Sequence, residues 1–294
     1  QGFISDYTFV EYDRPAAGAP ATQEYLDGQV SKTENANTIT WYSYDEFGQV
    51  VKTWQQPKNT ALVTQAVTIT ISYTYDYFGN VTQVFYHRDA GDKFYHHYVY
   101  DQNNRLTEVY TSKDGTTKTL QARYEYYLHG PLKRTVLGNN LQGIDYTYTI
   151  DGALKTINHA DPAKDPGGDG VADVFGETLH YYDGDYQGAG YSAGAQTIPG
   201  FNNQFGGMLK ATSWHSPAGN HQKQTYAYEY SDVNFLTNAK FGTMTGVSGS
   251  YGFSPSDSFR EAAGAYDKNG NIGTMTRTGK NGKATANYNY LYEV

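Results

Sequence analysis

Thr68-Ile69-Thr70-Ile71-Ser72-Tyr73-Thr74-Tyr75 runs into Asp76-Tyr77-Phe78-Gly79-Asn80 and then into Val81-Thr82-Gln83-Val84-Phe85-Tyr86. In the first run Ile69, Ile71, Tyr73 and Tyr75 alternate with Thr68, Thr70, Ser72 and Thr74. A period of two puts the large side chains on one face of a half-buried strand. The middle five residues are turn chemistry: Asp bonds nearby backbone amides, and Gly or Asn tolerates the positive φ of a tight hairpin. Val81 to Tyr86 then returns as a second strand. The stretch therefore reads as one strand-turn-strand unit.

The unit recurs. Tyrosines stand two apart at Tyr42/Tyr44, Tyr73/Tyr75, Tyr98/Tyr100, Tyr124/Tyr126, Tyr146/Tyr148, Tyr228/Tyr230 and Tyr288/Tyr290. Turns of the same kind follow Tyr44-Asp45 (Gly48), Tyr100-Asp101 (Asn104) and Tyr266-Asp267 (Gly270, Asn271). Three further copies lose the Asp but keep the spacing: Tyr126 with Gly130 and Leu132, Tyr148 with Gly152 and Leu154, Tyr230 with Asn234 and Leu236. In every copy Gly or Asn lies four residues after the Tyr, and an aliphatic residue six after. Repetition of this kind decides the architecture before any single residue does. The expected fold class is all-β: consecutive antiparallel hairpins.

Composition agrees. Leu, Ile, Val and Phe make up under a fifth of the 294 residues, but 30 tyrosines supply apolar area with a polar tip, and 32 glycines suit many tight turns. The net charge of −8 carries no basic stripe, which argues against a nucleic-acid partner. No apolar run approaches membrane-spanning length. The absence of cysteine excludes disulfides and thiol chemistry. Gln1 at the start, and a Tyr-x-Tyr strand running out at Val294, suggest a piece of a longer polypeptide.

These residues resemble the YD-repeat, or Rhs-repeat, family, whose core motif is Tyr-Asp-x-x-Gly-Asn-x-x. Tyr75-Asp76-Tyr77-Phe78-Gly79-Asn80 and Tyr266-Asp267-Lys268-Asn269-Gly270-Asn271 match it in full. The resemblance covers roughly residues 40 to 294. The stretch from Asp173-Val174-Phe175-Gly176 to Tyr186 also looks like the segment before the last repeats of large bacterial Rhs-type proteins. The resemblance implies a β-sheet wound spirally into a hollow shell, in a secreted or bacterial cell-surface protein. Its implied role is a wall segment that encapsulates a C-terminal effector or toxin. The implied partners are neighbouring repeats of the same longer chain, the enclosed C-terminal domain and secretion machinery. Toxin-bearing members carry a self-cleaving core after the repeats. None is found before Val294, so the segment is expected not to be an enzyme, with any release or toxin chemistry outside it.

A competing expectation is a surface adhesin whose insertion loops bind glycans or other cells. Two stretches break the repeat rhythm, 158–205 and 239–264, and both are expected to be insertion loops, where a repeat scaffold keeps its specificity. Residues 1–40 read as an irregular lead-in or linked incoming strand, and 41–294 as one continuous array.

Sites for chemistry are few. Asp165, Asp169 and Asp173, on a Gly-rich loop, meet part of the calcium requirement for several oxygens on a sharply bent segment. They lack the full Asp-x-Asp-x-Asp-Gly run and a distal bidentate acid, so an acidic surface turn is the plainer account; no other cofactor is expected. His96 and His97 are adjacent, so on a strand they point to opposite faces and do not chelate one metal together; His87 lies on the preceding return strand. Ser248 sits in a Gly/Ser run that lacks the second glycine of a nucleophile elbow. Trp41, Trp54 and Trp214 read as packing residues rather than sugar platforms.

Overall fold

The computed structural model describes residues 8–58, 68–87, 91–161, 164–185, 198–216, 222–245 and 252–292. All regular structure among them is β, in twenty strands. The chain divides into two compact units, Gln1–Tyr124 with Leu137–Asn139, and Glu125–Val136 with Asn140–Val294. Repeat hairpins occur in both units.

The first unit holds β1 (Phe9–Tyr12), β2 (Val30–Glu34), β3 (Thr38–Tyr44), β4 (Val50–Pro57), β5 (Ile69–Tyr75), β6 (Val81–His87), β7 (Lys93–Tyr100), β8 (Leu106–Ser112) and most of β9 (Thr119–Tyr126). Each strand from β1 to β8 pairs antiparallel with the next. Within residues 8–40, β1 and β2 form the first antiparallel pair. The segment between them lays Ala16 and Ala19 against Trp41, Trp54 and Ile39. Trp41 and Trp54 are register partners on β3 and β4 and both are buried, as packing residues should be.

The second unit holds most of β10 (Leu132–Leu137), and β11 (Gln142–Tyr148), β12 (Leu154–Ile157), β13 (Gly176–His180), β14 (Ala211–His215), β15 (Gln224–Tyr230), β16 (Leu236–Thr245), β17 (Gly252–Pro255), β18 (Glu261–Tyr266), β19 (Ile272–Thr278) and β20 (Ala284–Asn289). From β11 to β16 each strand again pairs with the next; β16 then pairs with both β17 and β18, and β18 to β20 continue the meander. Among the described residues of 158–205, one strand joins the sheet. Gly176–His180 is a full member of the sheet, and Ile198, 1% exposed, sits in the core with Ala211, Ala227, Met244 and Phe253. The rhythm was lost because β13 carries Thr178 and His180 on its buried face in place of aliphatic residues. The stretch 239–264 likewise contributes the end of β16, all of β17 and the start of β18.

The repeat turn has one geometry. In the four Asp copies the Asp Oδ1 accepts the amides two and four residues on, at 2.8–3.0 Å: Asp45 from Phe47 and Gln49, Asp76 from Phe78 and Asn80, Asp101 from Asn103 and Arg105, Asp267 from Asn269 and Asn271. The backbone closes on itself as well, from Gly79 N–H to Asp76 O and from Asp76 N–H to Asn80 O. Where Asp is missing, Thr149 and Ser231 put a hydroxyl in its place, accepting the amides of Ala153 and Phe235. Residues Gly48, Gly79, Asn104, Gly130, Gly152, Asn234 and Gly270, each four after its tyrosine, all have φ between 61° and 120°. A side chain with a branched Cβ is strained there, which is why the position alternates only between Gly and Asn. The ladder slips at the tyrosine itself, so that Tyr75 opposes Val81, and Tyr44, Tyr100, Tyr148, Tyr230 and Tyr266 oppose the residue six after them in the same way. This is a β-bulge built into the hairpin.

Candidate functional site

In most copies of the repeat a tyrosine reaches back to the preceding hairpin. Tyr75 Oη donates to Val50 O at 2.7 Å, Tyr100 to Val81 O at 2.9 Å, Tyr181 to Leu154 O at 2.8 Å and Tyr292 to Ile272 O at 3.0 Å, with Tyr266 bonded likewise to Leu236 O. In every one of these the acceptor is the aliphatic residue six after the previous repeat tyrosine. Tyr44 and Tyr230 make the same bond to Val30 O and Leu209 O. The bulge explains it: slipping the ladder frees that carbonyl from its cross-strand partner, and the next tyrosine satisfies it. Burial raises the pKa of Tyr44, Tyr75, Tyr100, Tyr181, Tyr230 and Tyr266, so these hydroxyls stay donors.

The conserved geometry thus serves two ends. Asp and Gly or Asn shape a turn, and Tyr clasps that turn's strand pair to the one before. Tyr75→Phe removes one clasp and leaves Val50 O unsatisfied, so it should cost about 1 kcal/mol. Adding Tyr100→Phe should roughly double the loss, as read from urea denaturation midpoints; an unchanged midpoint would mean the clasp carries no stability. Next to Tyr126, Tyr127 Oη donates forward to Tyr146 O at 2.9 Å. Tyr181 does not stand out in the sequence as a clasp residue, because the stretch around it lacks the repeat's alternation.

The acidic loop is folded onto the second unit. Asp165 accepts the amides of Gly168 (2.8 Å) and Gly170 (2.9 Å), Asp169 accepts that of Val171 (2.8 Å) and meets Arg134, and Asp173 accepts Gln142 Nε2 at 3.2 Å. Arg134 also donates to both oxygens of buried Asp145, at 2.8 and 2.6 Å. Burial, aided by the charges of Asp145, Asp165 and Asp169, pushes Asp173 up to about 6. Among the described residues no set of three or more His, Cys, Asp or Glu is arranged to hold a metal. His96 and His97 do face opposite sides: His96 meets Tyr86 and Phe94 edge-on, and buried His97 stacks on Tyr95. His87 stacks on Phe85. Trp214 is half-buried and stacked on Tyr226. Ser248 lies outside the described residues.

Sequence reasoning missed a buried polar cluster in the second unit. Lys155 and Asp185, 7% and 6% exposed, are 2.7 Å apart. Lys155 also donates to Leu179 O at 2.6 Å, and Asp185 accepts the Tyr181 amide at 2.8 Å. Lys210, 1% exposed, reaches Asp183 at 2.7 Å and Asn203 at 2.9 Å. Buried His180 shares a 3.0 Å hydrogen bond with Ser213, which shares one of 2.8 Å with Thr225. His159, His215 and Lys223 are buried nearby in the sequence of the same unit. Small residues make room for this: Thr156, Thr178, Ser213, Thr225 and Gly242 stand in register across β12 to β16. The Ser213–His180 pair is shut from solvent, and a substrate has no access to that hydroxyl. No signal at fixed spacing announces the cluster.

No family model and no curated protein matches the sequence. Among solved structures, TcdB2-TccC3 without its hypervariable C-terminal region aligns over 90% of this chain and 12% of that one, with a TM-score of 0.56 and 16% identity. The two share a fold. The Photorhabdus luminescens Tc holotoxin pore aligns over 86% of this chain and 15% of that one, with a TM-score of 0.45 and 14% identity. The chain thus spans a small part of the length of TcdB2-TccC3, and what it shares with that protein is the architecture of antiparallel strands.

Proposed function

We propose that this chain is wall material of a YD-repeat shell, in a secreted or surface-displayed protein, that encloses a C-terminal effector. The observation that supports it is the tyrosine clasp: in most of the described repeats a tyrosine satisfies a carbonyl of the one before it, so the hairpins are built to add to one another in series. The fold shared with TcdB2-TccC3 is consistent with that use. On this reading the partners are further repeats of the same polypeptide, the enclosed domain and the machinery that exports it. Catalysis, where present, belongs to the enclosed domain and not to the wall.

Limited proteolysis of the full-length gene product tests this. Peptides of the C-terminal domain should survive at protease levels that digest the same domain made alone, and mild denaturant that opens the wall should abolish the protection. Equal digestion of the enclosed and isolated domains would end the proposal.

A further inference from the structure

We propose that the second unit carries an acid-sensitive lock, in which buried His180 and His159 are held neutral among lysines whose charges are already matched, so that acidification loosens β12 to β15. The geometry carries the argument. His180 lies on the buried face of β13, hydrogen-bonded to Ser213 on β14, which is itself bonded to Thr225 on β15. The charges that act on His180 are those of Lys155 on β12, His159 just after it, Lys210 at the head of β14 and Lys223 before β15. The aspartates of this region are each committed: Asp185 to Lys155, Asp183 to Lys210, and Asp161 acts on Lys223 and His159. His215, also buried, ends the neighbouring strand β14.

A proton added to His180 therefore places a positive charge in a closed site beside other positive charges. Burial drives both imidazoles toward the neutral form, His180 well below its ordinary range and His159 down to about 4. The sign follows. A group whose folded pKa is depressed gives stability above its unfolded value of 6.5, and that stability is lost as pH falls toward the folded value. Asp173 has the opposite sign: pushed up to about 6, it favours the fold below its ordinary 3.8 and withdraws that support as pH rises through 6. The window for the histidine effect is thus pH 6.5 down to about 4. One histidine displaced this far lowers the folding constant by roughly 70-fold between about pH 7.5 and about pH 4.5. This inference does not rest on encapsulation.

The test is hydrogen exchange on the full chain at about pH 7.5 and about pH 4.5, corrected for intrinsic rates. Protection in peptides from β12 to β15 should fall at least about tenfold on acidification. In a His159→Gln/His180→Gln variant, where Gln keeps a hydrogen-bonding group but does not titrate, it should fall less than about threefold. Equal protection of the unsubstituted chain at both pH values overturns the proposal, and so does an equal loss in the variant. Should the variant fail to fold at neutral pH, imidazole NMR of the unsubstituted chain decides. His180 neutral in the folded state at about pH 5.5 supports the lock, and a charged His180 there overturns it.

Discussion

Lys155→Met is expected to destabilise the second unit by about 3–5 kcal/mol. Lys155 and Asp185 are both almost fully buried, and the lysine is the only one of Asp185's bonded partners that carries charge among the contacts described. Burial alone lowers the pKa of Lys155, with Asp185 pulling the other way, so the pair exists because each ion compensates the other's lost hydration. Removing the ammonium strands a carboxylate whose second oxygen is pinned to the Tyr181 amide, and it also releases the Leu179 carbonyl. The tyrosine clasp is then hit indirectly, because Tyr181 is the residue that reaches Leu154 O. The double variant Lys155→Met/Asp185→Leu should recover much of the loss, since two apolar groups of similar size leave no orphan charge. Chemical denaturation of the two variants checks this. A single substitution that costs under about 1 kcal/mol would show that water reaches the pair.

Gly176→Ala is expected to cost about 3 kcal/mol, the upper end of what one added methyl does in a full core. A Cβ at Gly176 would lie 1.9 Å from His159 O, 2.5 Å from its carbonyl carbon and 2.7 Å from His215 Cε1. Two of those atoms are backbone, so no rotamer change relieves the clash; β13 itself must move away from the segment after β12. That motion would disturb the Gly176↔His215 register and the row of small residues beside it. Gly28→Ala is the control. Its φ is +75° and nothing lies within 4 Å of the added atom, so it should lose only about 1 kcal/mol through backbone strain. A melting comparison separates the two, and equal losses would mean that the close approach at Gly176 is relaxed in solution.

What could be read from the chain alone was whatever is local. The turn spans seven residues, and its parts act on one another: Asp76 on Phe78 and Asn80, positive φ at Gly79, Val81 opposite Tyr75. Side chains at such short separations meet in any fold that forms the hairpin, so their spacing is visible without coordinates. The Asp-less copies were legible for the same reason, and the structure adds only that Thr149 and Ser231 stand in for the carboxylate. The strand Gly176–His180 was not legible because it is polar on the side it buries, and hydrophobic alternation is the signal by which a strand is found.

Sequence by itself determined the hairpin, its turn and the succession of antiparallel strands, because these follow from backbone conformation and contacts within one repeat. Tertiary structure alone decided which carbonyl each tyrosine takes and which lysine meets which aspartate. Tyr75 finds Val50 25 residues away, and Lys155 finds Asp185 30 residues away. Contacts at that range depend on how successive strand pairs lie against each other and on which face is closed from water. No residue spacing encodes the loss of solvent that makes a lysine, an aspartate and a histidine depend on one another.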